Sequence, residues 1–554
     1  MKRVLPPFPT FLLWTMSFGI ASFGITSAQA AERIYASYGS FERSVSVKAL
    51  EVYAKEGRVT GDLGIYLRYL KPERRRQFRA ALQQRATLTP VSIAQFLYAP
   101  VGEQLLKRAE KVVQPKSGVG GFFALRAALI LAAADPEGLT FLNLLKAYPT
   151  EGIQVDLAEG LSTFSQGRKL IQKTDQAVAS IEATAEVTPP PALTAAGRSL
   201  ATAGAFTSKK VSLNLEDSTP LRLDYAGKSR PFPVDVYLPQ GTPGPRPVIV
   251  ISHGLNSDRQ SYAYLAEHLA SHGFAVAVPE HTGSNTDQLL DLLAGRASEV
   301  PSATEFVDRP LDVKFLLDDL QMRSQTDPTF KDRLNLKQVG VIGQSFGGYT
   351  ALALAGAPLN FNRLQQDCRQ NLADTLNLSL VLQCQALRLA GRDYQLADPR
   401  IRAAITINPV GSSLFGPASM GKIQVPIMVV TGNADTIAPA LPEQIRPFSW
   451  LTSPQKYLAL IRKSTHFSTI DEPEEAAAEP IPTSPQIIGP SPELARTYIG
   501  ALSTAFMQTH AAQQPRYQTY LSSDYAAALS QSSLPLSLIE ALPEPGEGEL
   551  EDQT

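Results

Sequence analysis

The segment Gly-Gln-Ser-Phe-Gly, from Gly343 to Gly347, holds the residue types with the clearest chemical potential in the chain. An apolar run at 339–342 precedes it and an Ala/Leu-rich stretch at 349–355 follows, which predicts a strand, a sharp turn and a helix. In that context a G-x-S-x-G serine is exposed as a nucleophile, because glycines leave room where side chains would clash. We therefore expect Ser345 to be the nucleophile of an elbow that Gly343 and Gly347 permit; an ordinary strand-to-helix turn is the alternative.

A nucleophilic serine needs a base, and the chain has six histidines. In the fold that carries this turn the base follows the serine in the chain, which excludes four of them: His253, His268, His272 and His281. His510 stands near the end of a predicted helix. His466 follows the predicted strand 457–461 in a short loop, from which an imidazole can reach the serine, so we predict that His466 is the base.

The acid that orients the histidine is expected between the serine and the histidine in the chain. Asp435 comes soon after the apolar run 427–430, where a predicted strand enters a turn. An aspartate there would hold one ring nitrogen and stabilise the imidazolium that forms during attack. The competing carboxylates do not follow so regular a strand; they are Asp393, Asp398 and Asp471.

Attack on a carbonyl also needs two preorganised N–H donors for the developing negative charge. We expect one from the backbone of Phe346, directly after the nucleophile. The other should come from the loop after an early strand, where residues 251–255 are Ile-Ser-His-Gly-Leu. We assign it to the N–H of Leu255, and we expect His253 in this loop to pack rather than to act as a base.

The elements that must hold these groups are apolar runs separated by helical stretches. The runs are continuous rather than alternating, which is typical of a parallel sheet covered on both faces; they lie at 248–251, 274–278, 339–342, 403–407 and 427–430. Alternating stretches precede them and predict antiparallel edge strands at 211–215, 221–225 and 234–238. The predicted fold class is therefore α/β, with one domain over residues 209–510.

The chain has 554 residues, enough for two to four domains, and 51 basic against 52 acidic side chains. This balance lacks the basic footprint of a nucleic-acid-binding protein, so we predict no such partner. Two cysteines exclude a disulfide-dense scaffold and a four-cysteine zinc site. We predict no metal site and no cofactor.

The first 30 residues have the pattern of a signal peptide. Lys2 and Arg3 precede an apolar run at 11–25, and Ala-Gln-Ala at 28–30 fits a cleavage site. About 15 apolar residues fall short of the roughly 20 that a membrane span needs, although an uncleaved anchor is the alternative. We expect an exported chain, periplasmic or secreted, with no transmembrane span after residue 30.

Three regions flank the predicted α/β domain. Residues 31–161 are predicted to be helices that form an accessory domain, a candidate docking site for an unknown partner. Residues 162–208 are predicted to be a helix and a linker with three prolines at 189–191. Residues 511–554 end in a stretch with six acidic side chains and no lysine or arginine, so we expect a disordered tail.

Cys368 and Cys384 lie 16 positions apart within 358–398, a stretch that interrupts the α/β pattern. In an exported protein two such cysteines are expected to pair, and closing this loop stabilises the fold by roughly 3 kcal/mol; two buried thiols are the alternative. We expect a lid that this bridge holds. Its apolar side chains would contact either an acyl chain or one another; they are Leu376, Leu378, Leu380 and Leu382.

Several of these motifs, taken in order, resemble the branch of α/β hydrolases that includes platelet-activating-factor acetylhydrolases and dienelactone hydrolases. The resemblance covers roughly residues 210–510 and is carried by His253-Gly254-Leu255, Ser271-His272-Gly273-Phe274, Glu280-His281 and the Gly343–Gly348 segment. It implies an α/β-hydrolase fold and metal-free hydrolysis of short-chain or oxidised acyl esters. The stretch before it resembles a domain of unknown function that precedes such hydrolases in some bacterial proteins.

Two positions depart from that branch. Plasma acetylhydrolases place their acid after the strand where this chain has Ile-Asn-Pro at 407–409, and Asn408 supplies no carboxylate. Dienelactone hydrolases use a cysteine where this chain has Ser345. The turn at 432–439, which contains Asp435, looks instead like the acid loop of related polyester and ester hydrolases. The resemblance therefore supports the mechanism more than the substrate.

Together these features predict an exported serine hydrolase that cleaves acyl esters, of the lipase, esterase or acetylhydrolase type, with a small ester or lipid as substrate. A serine peptidase or an acyltransferase on the same fold would use the same three residues. A non-catalytic binding or scaffold protein would not need all of them.

Overall fold

The structure, a computed structural model, describes residues 30–86, 88–187, 192–372, 375–471 and 488–543. The predicted signal peptide up to residue 29, the prolines at 189–191 and the acidic end from residue 544 lie outside these ranges. Within them, no helix combines the length and the apolar character that crossing a bilayer requires.

Residues 31–156 combine helices with two small sheets, whereas the sequence predicted helices alone. The strands are β1 (Arg33–Tyr38), β2 (Phe41–Ser46), β3 (Arg85–Ala86), β4 (Val113–Pro115), β5 (Leu139–Thr140) and β6 (Gly152–Asp156). The helices are α1 (Val47–Glu56), α2 (Leu63–Leu67), α3 (Pro72–Gln83), α4 (Pro90–Tyr98), α5 (Pro100–Val112), α6 (Gly121–Ala133) and α7 (Phe141–Lys146). One sheet has the order β2-β1-β6-β4 and the other pairs β3 with β5. These strands are short and partly polar, so they lack the sustained alternation that identifies a strand in a sequence.

This region has a core of its own. Apolar side chains between Ala31 and Val155 pack with one another in a cluster separate from those on the central sheet. The long helix α8 (Leu157–Ala185) follows, and its second half packs Val178 and Ile181 into the core of that sheet. The predicted boundary at residue 161 therefore falls inside a continuous helix that joins the two regions.

The central sheet has nine strands. Helices lie between its strands along the chain, so the predicted α/β class is confirmed. The strands are β7 (Ser208–Asp217), β8 (Arg230–Pro239), β9 (Arg246–Ser252), β10 (Ala275–Pro279), β11 (Leu334–Gln344), β12 (Ile401–Ile407), β13 (Ile427–Gly432), β14 (Lys456–Ile461) and β15 (Leu536–Ile539). Their order is β15-β14-β13-β12-β11-β9-β10-β8-β7. Strands β9 to β14 are parallel, and the runs predicted as parallel strands are β9 to β13. Their continuous Val and Ile residues are buried because apolar clusters cover both faces.

Helices cover both faces of this sheet. They are α9 (Ala195–Leu200), α10 (Pro220–Ala226), α11 (Ala263–Ser271), α12 (Thr286–Leu293), α13 (Glu305–Thr326), α14 (Phe346–Leu354), α15 (Phe361–Asn371), α16 (Leu378–Cys384), α17 (Ser412–Met420), α18 (Arg446–Trp450), α19 (Pro492–His510) and α20 (Ser523–Leu529). Helix α10 occupies the stretch 221–225 that we predicted as a strand. The side chain of Thr219 caps it, Pro220 begins it and Gly227 ends it with a φ of 76°, so helix-end signals outweighed the alternation.

The predicted disorder of 511–554 is wrong for residues 511–543. A 3₁₀ helix (Pro515–Tyr520) and α20 lead into β15, which pairs antiparallel with β14 and buries Leu536 and Leu538. The acidic side chains that suggested disorder lie mostly beyond residue 543. The segment before them carries enough apolar residues to add an edge strand to the sheet.

The parallel strands bring the predicted chemistry to one edge. Ser345 follows β11, Asp435 follows β13 and His466 follows β14, while Leu255 follows β9. Because the carboxyl ends of parallel strands meet at the same edge of a sheet, loops far apart in the chain converge there.

Candidate active site

Ser345 stands between β11 and α14 with a φ of 53° and a ψ of −114°. A positive φ costs about 1–3 kcal/mol for a residue with a side chain, so its surroundings must hold it. Its N–H donates to the carbonyl of Ile407 at 2.9 Å, and its carbonyl accepts from the N–H groups of Tyr349 at 3.1 Å and Val410 at 3.3 Å. Bonds to two neighbouring elements therefore maintain the strained turn that places the hydroxyl at the sheet edge.

The glycines of the motif are required by packing. A Cβ on Gly343 would lie 1.9 Å from the carbonyl oxygen of Gly347, and one on Gly347 would lie 1.9 Å from that of Ser252. Both obstacles are backbone atoms, which cannot move aside like a flexible side chain. Only hydrogen fits at these positions, so the spacing of G-x-S-x-G follows from the close approach of β9, β11 and α14.

His466 lies beside the serine hydroxyl, with 2.8 Å between its Nε2 and Ser345 Oγ. The loop that carries it is held by side-chain amides. Gln344 Nε2 donates to the His466 carbonyl at 3.1 Å, and Asn408 Nδ2 donates to the Thr465 carbonyl at 3.2 Å. Asn408 thus helps to hold the histidine loop in this chain.

Asp435 completes the array, with 2.6 Å between its Oδ2 and His466 Nδ1. Its other oxygen, Oδ1, accepts from the N–H groups of Ile437 at 2.9 Å and Ala438 at 2.8 Å. A carboxylate can only accept, so Nδ1 carries the ring proton and Nε2 is free to accept from Ser345. Ser345, Asp435 and His466 are all buried, and they form one hydrogen-bonded path from hydroxyl to carboxylate.

The competing residues have partners elsewhere. The ring of His510 lies against Phe506 and Tyr457, and burial lowers its pKa to about 4. The three alternative acids bind neighbouring polar side chains: Asp393 accepts from Gln395, Asp398 pairs with Arg400, and Asp471 pairs with Arg496. None of these four residues is brought to Ser345.

A second array of the same residue types lies behind the loop after β9. Ser252 Oγ is 2.9 Å from His281 Nε2, and His281 Nδ1 is 2.8 Å from Asp312 Oδ2. All three side chains are completely buried. Burial, reinforced by the charges of Arg309 and other neighbours, lowers the pKa of His281 well below its ordinary value. This array is thus enclosed in the core, and hydrogen-bond geometry alone does not distinguish it from the array at Ser345.

The two predicted oxyanion donors flank Ser345. Phe346 is the first residue of α14, where a helix leaves its N–H without an intrahelical partner. Leu255 follows Gly254, on which a Cβ would lie 2.2 Å from Gln344 Oε1 and 3.4 Å from Ser345 Cβ. Among the described residues, none accepts a hydrogen bond from the N–H of Leu255 or Phe346. The loop after β9 thus lies directly against Ser345 with a backbone donor available.

The insertion at 358–398 carries the disulfide between Cys368 and Cys384, which joins α15 to α16. Helix α16 packs beside the acid loop, where the N–H of Ser379 donates to the carbonyl of Ile437 at 2.9 Å. Two of the four leucines for which acyl contact was an alternative are buried in the core of the sheet; they are Leu380 and Leu382. Packing therefore accounts for that pair.

Glu443 is a buried carboxylate that no sequence motif singles out. It accepts from Gln383 Nε2 at 2.9 Å, from Ser412 Oγ at 2.8 Å and from the N–H of Gly411 at 3.1 Å, and also from Asn377. It ties the insertion to the loop after β12. In the part of the chain that the structure describes, no three metal-binding side chains come together.

Comparisons with known proteins agree with this fold. A family model described as an alpha/beta hydrolase of unknown function matches residues 30–156, and one described as serine aminopeptidase S33 matches residues 243–367. The chain has the α/β-hydrolase fold. Chlorophyllase-1, chloroplastic, of Citrus sinensis is 29% identical over 165 residues, and that of Citrus unshiu is 28% identical. The match covers 30% of this chain and 43% of each relative, so the chain spans less than half the length of these curated relatives.

Proposed function

We propose that this chain is an exported serine hydrolase that cleaves carboxylic esters through Ser345, His466 and Asp435. The observation that carries the proposal is the path from Ser345 Oγ to His466 Nε2 at 2.8 Å and from His466 Nδ1 to Asp435 Oδ2 at 2.6 Å. It lies at the carboxyl ends of parallel strands, where ligands bind in open α/β sheets.

The reaction begins when Ser345 Oγ attacks the ester carbonyl and His466 Nε2 takes the hydroxyl proton. The carboxylate of Asp435 stabilises the imidazolium that results. The N–H groups of Leu255 and Phe346 bind the negative oxygen of the tetrahedral intermediate, and each such donor contributes about 10²–10³ in rate. His466 then gives its proton to the leaving alcohol, which leaves an acyl group on Ser345. Water, activated by the same histidine, releases the acid.

An ester substrate is supported by the chlorophyllase relatives, which are esterases. The predicted likeness to acetylhydrolases points to the same bond type, and small or lipid esters remain the proposed substrates. The match to the serine aminopeptidase model over residues 243–367 favours one second candidate, an aminopeptidase that uses the same three residues.

Export is supported by the pattern of residues 1–30 and by the disulfide between Cys368 and Cys384, because such bonds persist in oxidising compartments. Expression of the full chain, followed by cell fractionation and N-terminal sequencing, tests this. A mature protein that begins at Ala31 and is recovered outside the cytoplasm supports export. A chain that keeps Met1 and stays in the cytoplasm refutes it.

A fluorophosphonate probe tests the nucleophile. We expect it to label the wild type and not Ser345→Ala. Ser252→Ala is the matched control, because Ser252 also contacts a histidine but is completely buried; it should keep the label. Labelling that persists in Ser345→Ala would exclude Ser345 as the nucleophile.

Two substrate series then separate the candidate functions. Turnover of p-nitrophenyl esters over a range of acyl lengths supports the esterase, whereas turnover of aminoacyl p-nitroanilides alone supports the peptidase. A labelled protein that turns over neither, but transfers an acyl group to an added alcohol, is an acyltransferase. Absence of both label and turnover would favour a binding protein.

A further inference from the structure

Arg309 of helix α13 is completely buried and binds two consecutive carbonyls of the loop after β9. Its Nη1 donates to the carbonyl of His253 at 2.6 Å and its Nη2 to that of Gly254 at 3.1 Å, while its Nε donates to Ser284 Oγ at 2.8 Å. A planar guanidinium holds two acceptors at once in a fixed geometry, which a lysine ammonium does not. The backbone on which we placed an oxyanion donor is therefore clamped from behind.

The side chain of His253 donates a second hydrogen bond to the carbonyl of Gly254. Its Nε2 lies 3.0 Å from the backbone N of His281, and a backbone N–H can only donate, so Nε2 is the acceptor. The ring proton is therefore on Nδ1, which donates to the Gly254 carbonyl at 2.8 Å. Burial, together with the charge of Arg309, lowers the pKa of His253 to about 3, so the ring is neutral at ordinary pH. The carbonyl of Gly254 thus receives hydrogen bonds from two buried side chains.

This carbonyl controls the predicted oxyanion donor. The carbonyl of Gly254 and the N–H of Leu255 belong to one planar trans peptide, in which the two groups point in opposite directions. Turning the carbonyl towards Arg309 and His253 turns the N–H away from them. Because Gly254 lies against Ser345 and Gln344, the hydrogen bonds set the angle at which this N–H meets the carbonyl under attack.

Arg309 also contacts the other half of the oxyanion site. Its guanidinium carbon is 4.5 Å from the centre of the Phe346 ring, a cation–π contact. That ring packs edge-on against Phe306 at 4.8 Å. Glu305, one helical turn before Arg309, lies 3.8 Å from its Nε and offsets part of the buried charge. One side chain therefore contacts Phe346 and the peptide group that contains the N–H of Leu255.

We propose that Arg309 and His253 are positioning residues, which orient the peptide between Gly254 and Leu255 so that its N–H stabilises the oxyanion. The inference rests on the proposed function of Ser345. His253 then has a role other than that of a base. Helix α13 has a role in the reaction through Arg309, although it contributes no group that touches the substrate.

The test compares variants that remove the hydrogen bonds with variants that keep part of them. Arg309→Met and His253→Phe remove the donors, whereas His253→Asn retains an amide N–H near the position of Nδ1. Arg222→Met is the matched control. Arg222 is as buried as Arg309 and pairs with Asp217, Asp308 and Asp312, but it has no hydrogen bond to the loop at 252–255.

The readout is the second-order rate at which a fluorophosphonate reacts with Ser345, because the phosphoryl oxygen occupies the oxyanion site during this reaction. Ester kcat and KM are measured in parallel, and kcat is calculated per titrated active site, which removes any effect of misfolded protein. Complete loss of one oxyanion donor costs about 10²–10³. We expect a misaligned donor to lower both the phosphonylation rate and kcat by about 10–100-fold, with KM changed less than about 3-fold because the ground state does not use the oxyanion donors.

His253→Asn should recover most of the loss seen in His253→Phe, and Arg222→Met should react at nearly the wild-type rate per active site. If Arg309→Met does not fold, the two His253 variants decide. Wild-type rates per active site in Arg309→Met or His253→Phe would overturn the inference while leaving the proposed function intact. A wild-type protein that neither reacts with the probe nor turns over esters would overturn both.

Discussion

Replacing Asp435 by asparagine should slow catalysis strongly while leaving the fold intact. Asp435 Oδ1 accepts two backbone N–H groups, from Ile437 and Ala438, and Oδ2 faces His466 Nδ1 at 2.6 Å. In Asp435→Asn the amide oxygen must keep the two backbone bonds, because an amide nitrogen cannot accept them. The amide N–H₂ then faces Nδ1, so the ring proton moves to Nε2, and His466 can no longer accept the proton of Ser345.

The expected loss in kcat follows from the free energy that is needed to restore the productive tautomer of His466. To restore the productive tautomer, the amide must turn its oxygen to His466 and leave the N–H groups of Ile437 and Ala438 without an acceptor. Each buried polar group left unsatisfied costs about 1–3 kcal/mol, or about 2–6 kcal/mol for the pair. At about 1.4 kcal/mol per tenfold change, kcat should fall between about 30-fold and 10⁴-fold. The same change in serine proteases with this kind of triad costs about 10⁴.

The assay is ester turnover per active site, with thermal unfolding of the same samples as the check on folding. Asp398→Asn is the matched control, because Asp398 is also a buried aspartate but pairs with Arg400 and not with a histidine; its kcat should stay near the wild-type value. If Asp435→Asn turns over within about 5-fold of the wild type, the tautomer reasoning is refuted and another carboxylate orients His466.

Three further changes test the fold around the site. Gly347→Ala places a Cβ 1.9 Å from the Ser252 carbonyl oxygen, so we expect a loss of roughly 1–3 kcal/mol in stability with lower kcat, read by urea unfolding and ester turnover; wild-type values would contradict the packing argument. Reducing the bond between Cys368 and Cys384 should lower stability by roughly 3 kcal/mol, because the two cysteines are 16 positions apart, and two free thiols in non-reducing denaturant would disprove the bond. Because burial and the charge of Arg309 lower the pKa of His253 from 6.5 to about 3, the unfolded chain binds a proton between these pH values that the folded chain does not. Stability should therefore fall by about 1.4 kcal/mol per pH unit below pH 6.5 for this residue, and His253→Asn should reduce that slope.

The parallel sheet could be predicted because its signal is local. Buried strands such as 248–251 and 403–407 are continuous apolar runs that need no knowledge of their neighbours. The small sheet formed by β1, β2, β4 and β6 could not be predicted in this way, since its strands are short and β1 pairs with β6 more than 100 positions away. Strand β15 was missed for a different reason. The acidic residues beyond it dominated the composition of the tail.

The residues of the candidate site differ in the same way, because some could be predicted from the sequence and others could not. Ser345, Asp435 and His466 were selected by residue type, by chain order and by position after a strand. Arg309 and Glu443 offered no such signal. Arg309 is one of several charged side chains in α13, so its charge does not single it out. Its target, two carbonyls more than 50 positions away, is defined only when the helix packs.

The sequence by itself determined the α/β class and predicted Ser345, Asp435 and His466 as the candidate triad, because strand runs, turn glycines and chain order can be read without the fold. Only the tertiary structure decided which aspartate meets His466 and which serine–histidine pair stays partly accessible, since Ser252, His281 and Asp312 form a similar array that is completely buried. It also decided that Arg309 and His253 hold the peptide before Leu255. Hydrogen bonds between distant segments depend on how strands and helices pack, and that packing is set by the whole core rather than by any one motif.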